Sequence, residues 1–244
     1  MTDTASIQDQ SPGHAAPPHV QQAGQWNRFW QQRSERPLGR IIRAVRRCVV
    51  TPMLARFVRR NTTRGTLIEA GCGTGEVSLH IARHRGNRVV LVDIAPDALD
   101  MARAHASSLG IQATTLQCDI TTLSQRMPTV PDGIVYNVGV VEHFPDCAPV
   151  LREMAKVSGN FALAVIPEKT IFWRVFVSLS LVLKLVPPGF YIHLYDLCGF
   201  RRQVESAGLD VLRVDRMRLF GVISYLGICF RMPGRKAEPC DARP

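Results

Sequence analysis

Residues 66–76 read Thr-Leu-Ile-Glu-Ala-Gly-Cys-Gly-Thr-Gly-Glu. Gly71, Gly73 and Gly75 strip one turn of side-chain bulk, and Cys72 sits between the first two. Leu67 and Ile68 read as the end of a buried strand, and Val77, Leu79, Ile81 and Ala82 as the helix that follows. A strand, a glycine-rich turn and a helix N-terminus together let a ligand touch bare backbone. Glu69 stands two residues before the first glycine, so the pattern is acidic-x-G-x-G-x-G. Dinucleotide-binding dehydrogenases carry G-x-G-x-x-G instead. The chain also has no Tyr-x-x-x-Lys pair, so hydride transfer is disfavoured on two counts.

Two further acids follow in order, each at the end of an apolar run. Asp93 closes Arg-Val-Val-Leu-Val-Asp, about 20 residues past the first glycine, the spacing at which a carboxylate meets ribose hydroxyls. Asp119 follows Leu116-Gln117-Cys118 and precedes Ile120; its plainer reading is a turn or cap residue. A fourth run, Ile134-Val135-Tyr136-Asn137-Val138, leads into Gly139-Val140-Val141-Glu142-His143-Phe144. Glu142 and His143 could do proton transfer, or could simply orient the next helix.

These stretches resemble the class I S-adenosylmethionine-dependent methyltransferases. Glu69, Gly71, Gly73 and Gly75 are similar to that family's first motif, and Gly139-Val140-Val141-Glu142-His143-Phe144 to its G-V-L-E-H-F stretch. The resemblance covers about residues 65–232. It implies S-adenosyl-L-methionine as cofactor, with Glu69, Gly71, Cys72, Gly73 and Gly75 around its methionine end. It implies Asp93 and Ile94 at the ribose, Asp119 and Ile120 at the adenine, and Asn137 and Val138 beside the methionine part. His143 is then the candidate general base and Glu142 its orienting partner. Some quinone-biosynthesis O-methyltransferases carry a metal-binding E-x-x-E-H here. This chain has Gly139 at the first glutamate position, so no metal is expected.

The elements that must position these residues alternate. Strands are expected near 66–70, 88–93, 113–118, 132–138 and 161–167. The intervening helices are expected to begin near Gly75, Pro96, Phe144 and Pro145. Returns through helices imply a Rossmann-like α/β fold, a mostly parallel sheet covered by helices on both faces. Two closing strands near 210–217 and 223–231 make seven, the last antiparallel. Ligands in such sheets bind beyond the carboxyl ends of the strands, where Glu69, Asp93, Asp119 and Asn137 all fall.

The 244 residues suit one decorated domain, and 46% hydrophobic content suits a globular chain. The seven cysteines have no C-x-x-C spacing, which favours reduced thiols in a cytoplasmic protein over zinc or disulfides. Residues 1–24 read as a disordered tail without signal-peptide character, 25–64 as a basic helical cap, and 233–244 as a loose tail. Trp26 and Trp30 share one face of the cap and either anchor it or line the acceptor pocket. Net charge is +10, and Arg40, Arg43, Arg46 and Arg47 line one helical face opposite Ile41, Ile42 and Val45. That face suits water or an anionic membrane surface. Nucleic acid is disfavoured, because no aromatic residues interleave to stack bases.

Residues 171–191 interrupt the pattern. The stretch from Ile171 to Val186 is apolar almost all round, broken by Arg174 and Lys184. It is short for a membrane span and reads as a lid over the crevice, with Phe172, Trp173 and Phe176 facing an apolar acceptor. The expected activity is methyl transfer to a small hydrophobic or lipid-like acceptor. The alternatives are an RNA or protein acceptor, or a non-catalytic cofactor-binding module. Nothing in the sequence sets an oligomeric state.

Overall fold

A computed structural model describes residues 18–32, 44, 46–62, 65–182 and 192–235. The chain runs α1 (Pro18–Gln32), a π-helical turn (Arg46–Val50) and α2 (Thr51–Arg60), then β1 (Thr66–Ala70), α3 (Glu76–Arg85), β2 (Val89–Asp93), α4 (Pro96–Ser108) and β3 (Ala113–Gln117). A short helical turn (Ile120–Thr122) and α5 (Leu123–Arg126) lead to β4 (Gly133–Val138). A second turn (Val141–His143), α6 (Ala148–Val157), β5 (Ala162–Pro167), α7 (Ile171–Val182), α8 (Leu197–Ser206), β6 (Asp210–Leu219) and β7 (Ile223–Arg231) complete it.

The seven strands form one sheet in the order β3-β2-β1-β4-β5-β7-β6. β7 is antiparallel to both its neighbours, and every other pairing is parallel. The Rossmann-like sheet expected from the sequence is therefore present. Burial follows position. β1, β4 and β5 are buried at every residue, because helices cover both faces of a central parallel strand. β3 and β6 lie at the edges and alternate with exposed residues.

Successive residues feed opposite cores. Ile68 packs with α6 and α8 through Leu151, Met154, Phe200 and Val204. Leu67 packs with α2 and α3 through Leu54, Val58, Val77 and Ile81. The chain steps outward from β1 to β2 and β3, then crosses back to place β4 on the other side of β1. That reversal opens a crevice at the carboxyl ends of β1 and β4.

Three expectations are adjusted. The first helix begins at Pro18, before residue 25. The helix after β4 begins at Ala148; a tight turn at Val141–His143 takes up the residues before it. The arginine face at 40–47 and the end of the apolar segment, 183–191, lie outside the described residues, apart from fragments at positions 44, 46 and 47. Among the described residues no disulfide joins the cysteines, and no helix is long and apolar enough to cross a membrane.

Gly227 sets how α2 seats on the sheet. A β-carbon there would stand 2.3 Å from the ring of Phe57. Gly227→Ala is expected to push α2 off β7 and cost roughly 1–3 kcal/mol of stability. A urea midpoint equal to that of the unmodified chain would show that the ring yields freely.

Candidate active site at the strand-order reversal

The glycine turn is built from left-handed backbone. Gly71 has φ 71°, Gly73 φ 53° and Gly75 φ 68°. At Gly71 a β-carbon would lie 2.5 Å from Val140, so the loops after β1 and β4 meet there with no room for a side chain. At Gly73 it would lie 2.6 Å from the Trp30 ring. Helix α1 thus lies across the turn.

Two carboxylates hold the turn from below. Asp93 is buried at the end of β2; its Oδ2 accepts the Gly73 N–H at 2.8 Å and its Oδ1 the Ala95 N–H at 2.9 Å. Burial raises its pKa above the ordinary carboxylate range. The sequence reading gave Asp93 to ribose hydroxyls alone. The structure shows it also bracing the glycine turn against β2, and each oxygen has lone-pair capacity beyond one bond. Ile94 follows, half-buried.

Glu69 faces Tyr136 across the β1–β4 register. Its Oε2 accepts the Ser78 N–H at 3.1 Å and the Tyr136 hydroxyl at 3.2 Å. The Ser78 and Tyr136 hydroxyls also bond to each other. Burial first, and then the Glu69 charge, lift the Tyr136 phenol well above its usual pKa, so it stays a neutral donor. Cys72 is buried beside these acids. Burial, then the charges of Asp93 and Glu69, push its thiol well up, so it is no nucleophile.

Ile120 and Asn137 stand deeper than the sequence implied, and Asp119 takes the cap role that the sequence offered. Asp119 caps the Ile120–Thr122 turn, its Oδ1 accepting the Thr121 N–H at 2.9 Å and the Thr121 hydroxyl at 2.8 Å. Ile120 is buried in the main core. Asn137 is fully buried; its Nδ2 donates to the Met154 sulfur, and its Oδ1 has no hydrogen-bond partner among the described residues. The Asn137 side chain thus turns under α6. Val138 packs in the opposite core.

The acceptor side is aromatic. His143 lies edge-on to Trp26, ring centroids 4.9 Å apart. Trp26, Phe29 and Trp30 pack edge to face along α1. Farther along the crevice, Asn27 accepts the Asp97 N–H at 3.1 Å and Gln31 donates to the Asp97 carboxylate at 2.6 Å. So α1 spans from the β4 loop to the start of α4, and both tryptophans lie at the crevice. Glu142 is buried, and its backbone carbonyl accepts the His193 N–H at 2.8 Å.

On α7 the placement differs from the expected wall of aromatic rings. Phe172 and Phe176 stack at 6.1 Å, but Trp173 points to the sheet. Its indole donates to the Ser224 carbonyl at 2.9 Å and its ring meets Tyr225. Among the described residues no group of three or more His, Cys, Asp or Glu is placed to hold a metal.

Sequence reasoning missed Ser78, Tyr136, Asn27, Gln31 and His193. Only Tyr136 carried a signal, as a polar ring inside an otherwise apolar buried run. Tyr136→Phe deletes the hydroxyl shared by Glu69 and Ser78 in a dry interior. The expected loss is roughly 1–3 kcal/mol by chemical denaturation; a neutral substitution would mean that the hydroxyl network carries no stability.

Comparison with known proteins follows the same geometry. Residues 67–159 match the family described as a methyltransferase domain. The ubiquinone biosynthesis O-methyltransferase of Serratia proteamaculans (strain 568) is 31% identical over 132 residues, 52% of this chain and 54% of that protein. The protein of the same description from Aeromonas salmonicida (strain A449) is 30% identical over 156 residues, 59% of this chain and 63% of that protein. The matches thus span between about half and two thirds of these relatives' length. Magnesium protoporphyrin IX methyltransferase from Synechocystis PCC 6803, solved with bound SAH, shares the fold at TM-score 0.66 and 16% identity, over 87% of this chain and 99% of that one. With its acidic-x-G-x-G-x-G turn at the β1–β4 reversal, the matched domain makes this chain similar to the class I S-adenosylmethionine-dependent methyltransferases.

Proposed function

We propose that this protein transfers a methyl group from S-adenosyl-L-methionine to a small hydrophobic or lipid-like acceptor. One observation carries the reading: the left-handed glycine turn, the two buried carboxylates beneath it and His143 with its aromatic neighbours meet at one crevice. The residues fit the cofactor. Three glycines leave backbone bare, and Asp93 and Glu69 bring negative charge to a ligand that carries an ammonium and ribose hydroxyls. The cofactor supplies an electrophilic methyl on a sulfonium; the protein need only place an acceptor atom in line behind it.

The roles follow from position. Glu69, fixed by Tyr136 and Ser78, faces the cofactor's methionine end. Asp93 accepts ribose hydroxyls while bracing Gly73. Asp119 and Ile120 border the adenine side. Helix α1 closes over the crevice through Trp26 and Trp30 and keeps water from the reacting groups. His143 takes the acceptor proton when the acceptor is a hydroxyl, the case suggested by relatives described as O-methyltransferases. The apolar α7, which follows the carboxyl end of β5, suits a greasy acceptor and a peripheral meeting with an anionic membrane.

Calorimetry with S-adenosylmethionine, then mass spectrometry of a prenylated phenol incubated with enzyme and cofactor, tests the reading. Expected are binding and the mass gain of one methyl replacing one hydrogen. A folded protein that does not bind the cofactor would end it. Asp93→Ala is expected to weaken cofactor binding at least about tenfold; unchanged affinity in a folded variant removes Asp93 from the ribose. His143→Ala is expected to lower kcat by roughly 10²–10⁴ with cofactor affinity intact. Equal kcat across a pH series would leave His143 a packing partner of Trp26.

A further inference from the structure

Helix α7 turns two chemically different faces outward and inward. Trp173 and buried Ser180 lie on the side against the sheet. Ile171, Val175 and Leu179, four residues apart, form the outer side and are 81%, 60% and 51% exposed. A second apolar feature stands on the β6–β7 hairpin. Phe220 is 80% exposed and Val222 56% exposed. Phe220 also has φ 52°, a left-handed position that glycine, asparagine or aspartate normally fills. Here the turn spends that strain to project an aromatic ring into solvent.

The two features share one edge of the molecule. β6 lies parallel in direction to β5, so its end and the start of α7 both fall at the carboxyl edge of the sheet. They are tied there. The Ser224 carbonyl accepts both the Glu168 N–H at 2.9 Å and the Trp173 indole, and Arg216 pairs with Glu168 at 2.6 Å. Glu168 at this edge is matched by Arg216, and the remaining charge is positive. Lys169, Arg174 and Arg218 flank it, and no Asp or Glu occurs from Lys169 to Tyr195 or from Arg216 to Ala237. Single exposed apolar side chains are ordinary, but five on one cationic edge are not.

We propose that the outer face of α7 and the Phe220 hairpin tip form one docking surface for a bilayer of anionic lipid. The apolar side chains enter the headgroup boundary and the cations meet the phosphates. No described helix is long enough to cross, so the contact is a lying-on one. It rests on the proposed function, because it places the membrane on the acceptor side of the crevice and so names where a lipid-like acceptor enters. The arginine face at 40–47 is not needed for it.

The test uses the full chain with vesicles of phosphatidylcholine alone or with phosphatidylglycerol, at low and high salt. Phe220→Gly removes the ring and relieves the left-handed strain, so loss of folding cannot explain its effect; Val175→Ser tests the helix. Expected is binding to phosphatidylglycerol vesicles that salt weakens, reduced at least about tenfold in the double variant. S-adenosylmethionine affinity, measured in parallel, should not change. Wild-type protein that ignores every vesicle, or a double variant that binds as well as wild type, overturns the proposal. So does a dimer in sedimentation that the double variant abolishes, since a second copy would then cover the face. Cofactor binding without vesicle binding would fault the docking surface alone; absent cofactor binding would fault the methyltransferase reading itself.

Discussion

The Asp93 carboxylate joins the end of β2 to the glycine turn after β1, and the rest of the site hangs on that joint. Gly73 can hold its left-handed backbone because its N–H has a buried acceptor 2.8 Å away. Desolvating that carboxylate is unfavourable, and two backbone donors offset part of the cost. Glu69 does the same on the β4 side through Ser78 and Tyr136. The turn is therefore gripped from both neighbours of β1, at the one place in the sheet where the strand order reverses.

Closure over this rigid floor comes from outside the sheet. Helix α1 has no strand to hold it; it stays through Trp26 on His143, Trp30 on Gly73, and Asn27 and Gln31 on Asp97. These contacts lay α1 across the crevice from the β4 loop to the start of α4. The edge beyond β5 is different in kind. There α7 is fastened to the hairpin through Ser224, Glu168 and Trp173, and its outer side is left apolar. The α1 flank covers the glycine turn with aromatic rings, and α7 presents an apolar surface.

Strand and helix order, the parallel sheet and the crevice position were legible in the sequence because each rests on local rules. Buried parallel strands need continuous apolar runs, a left-handed turn needs glycine, and helical returns force one sheet topology. Glu69, Asp93 and Asp119 could be found because strand ends fix their positions along the chain. What those side chains touch was not legible. Asn137 turns under α6 onto Met154, because rotamers answer to neighbours from distant elements. Tyr136 reaches Glu69 across 67 residues of sequence, and no spacing rule links them. Trp173 was read as a pocket residue from its helical period; the period gives a face, and only packing against β7 decided that the face looks to the sheet. Phe220 falls between the two closing strands in the sequence, and only the turn geometry shows its ring held in water at a left-handed φ.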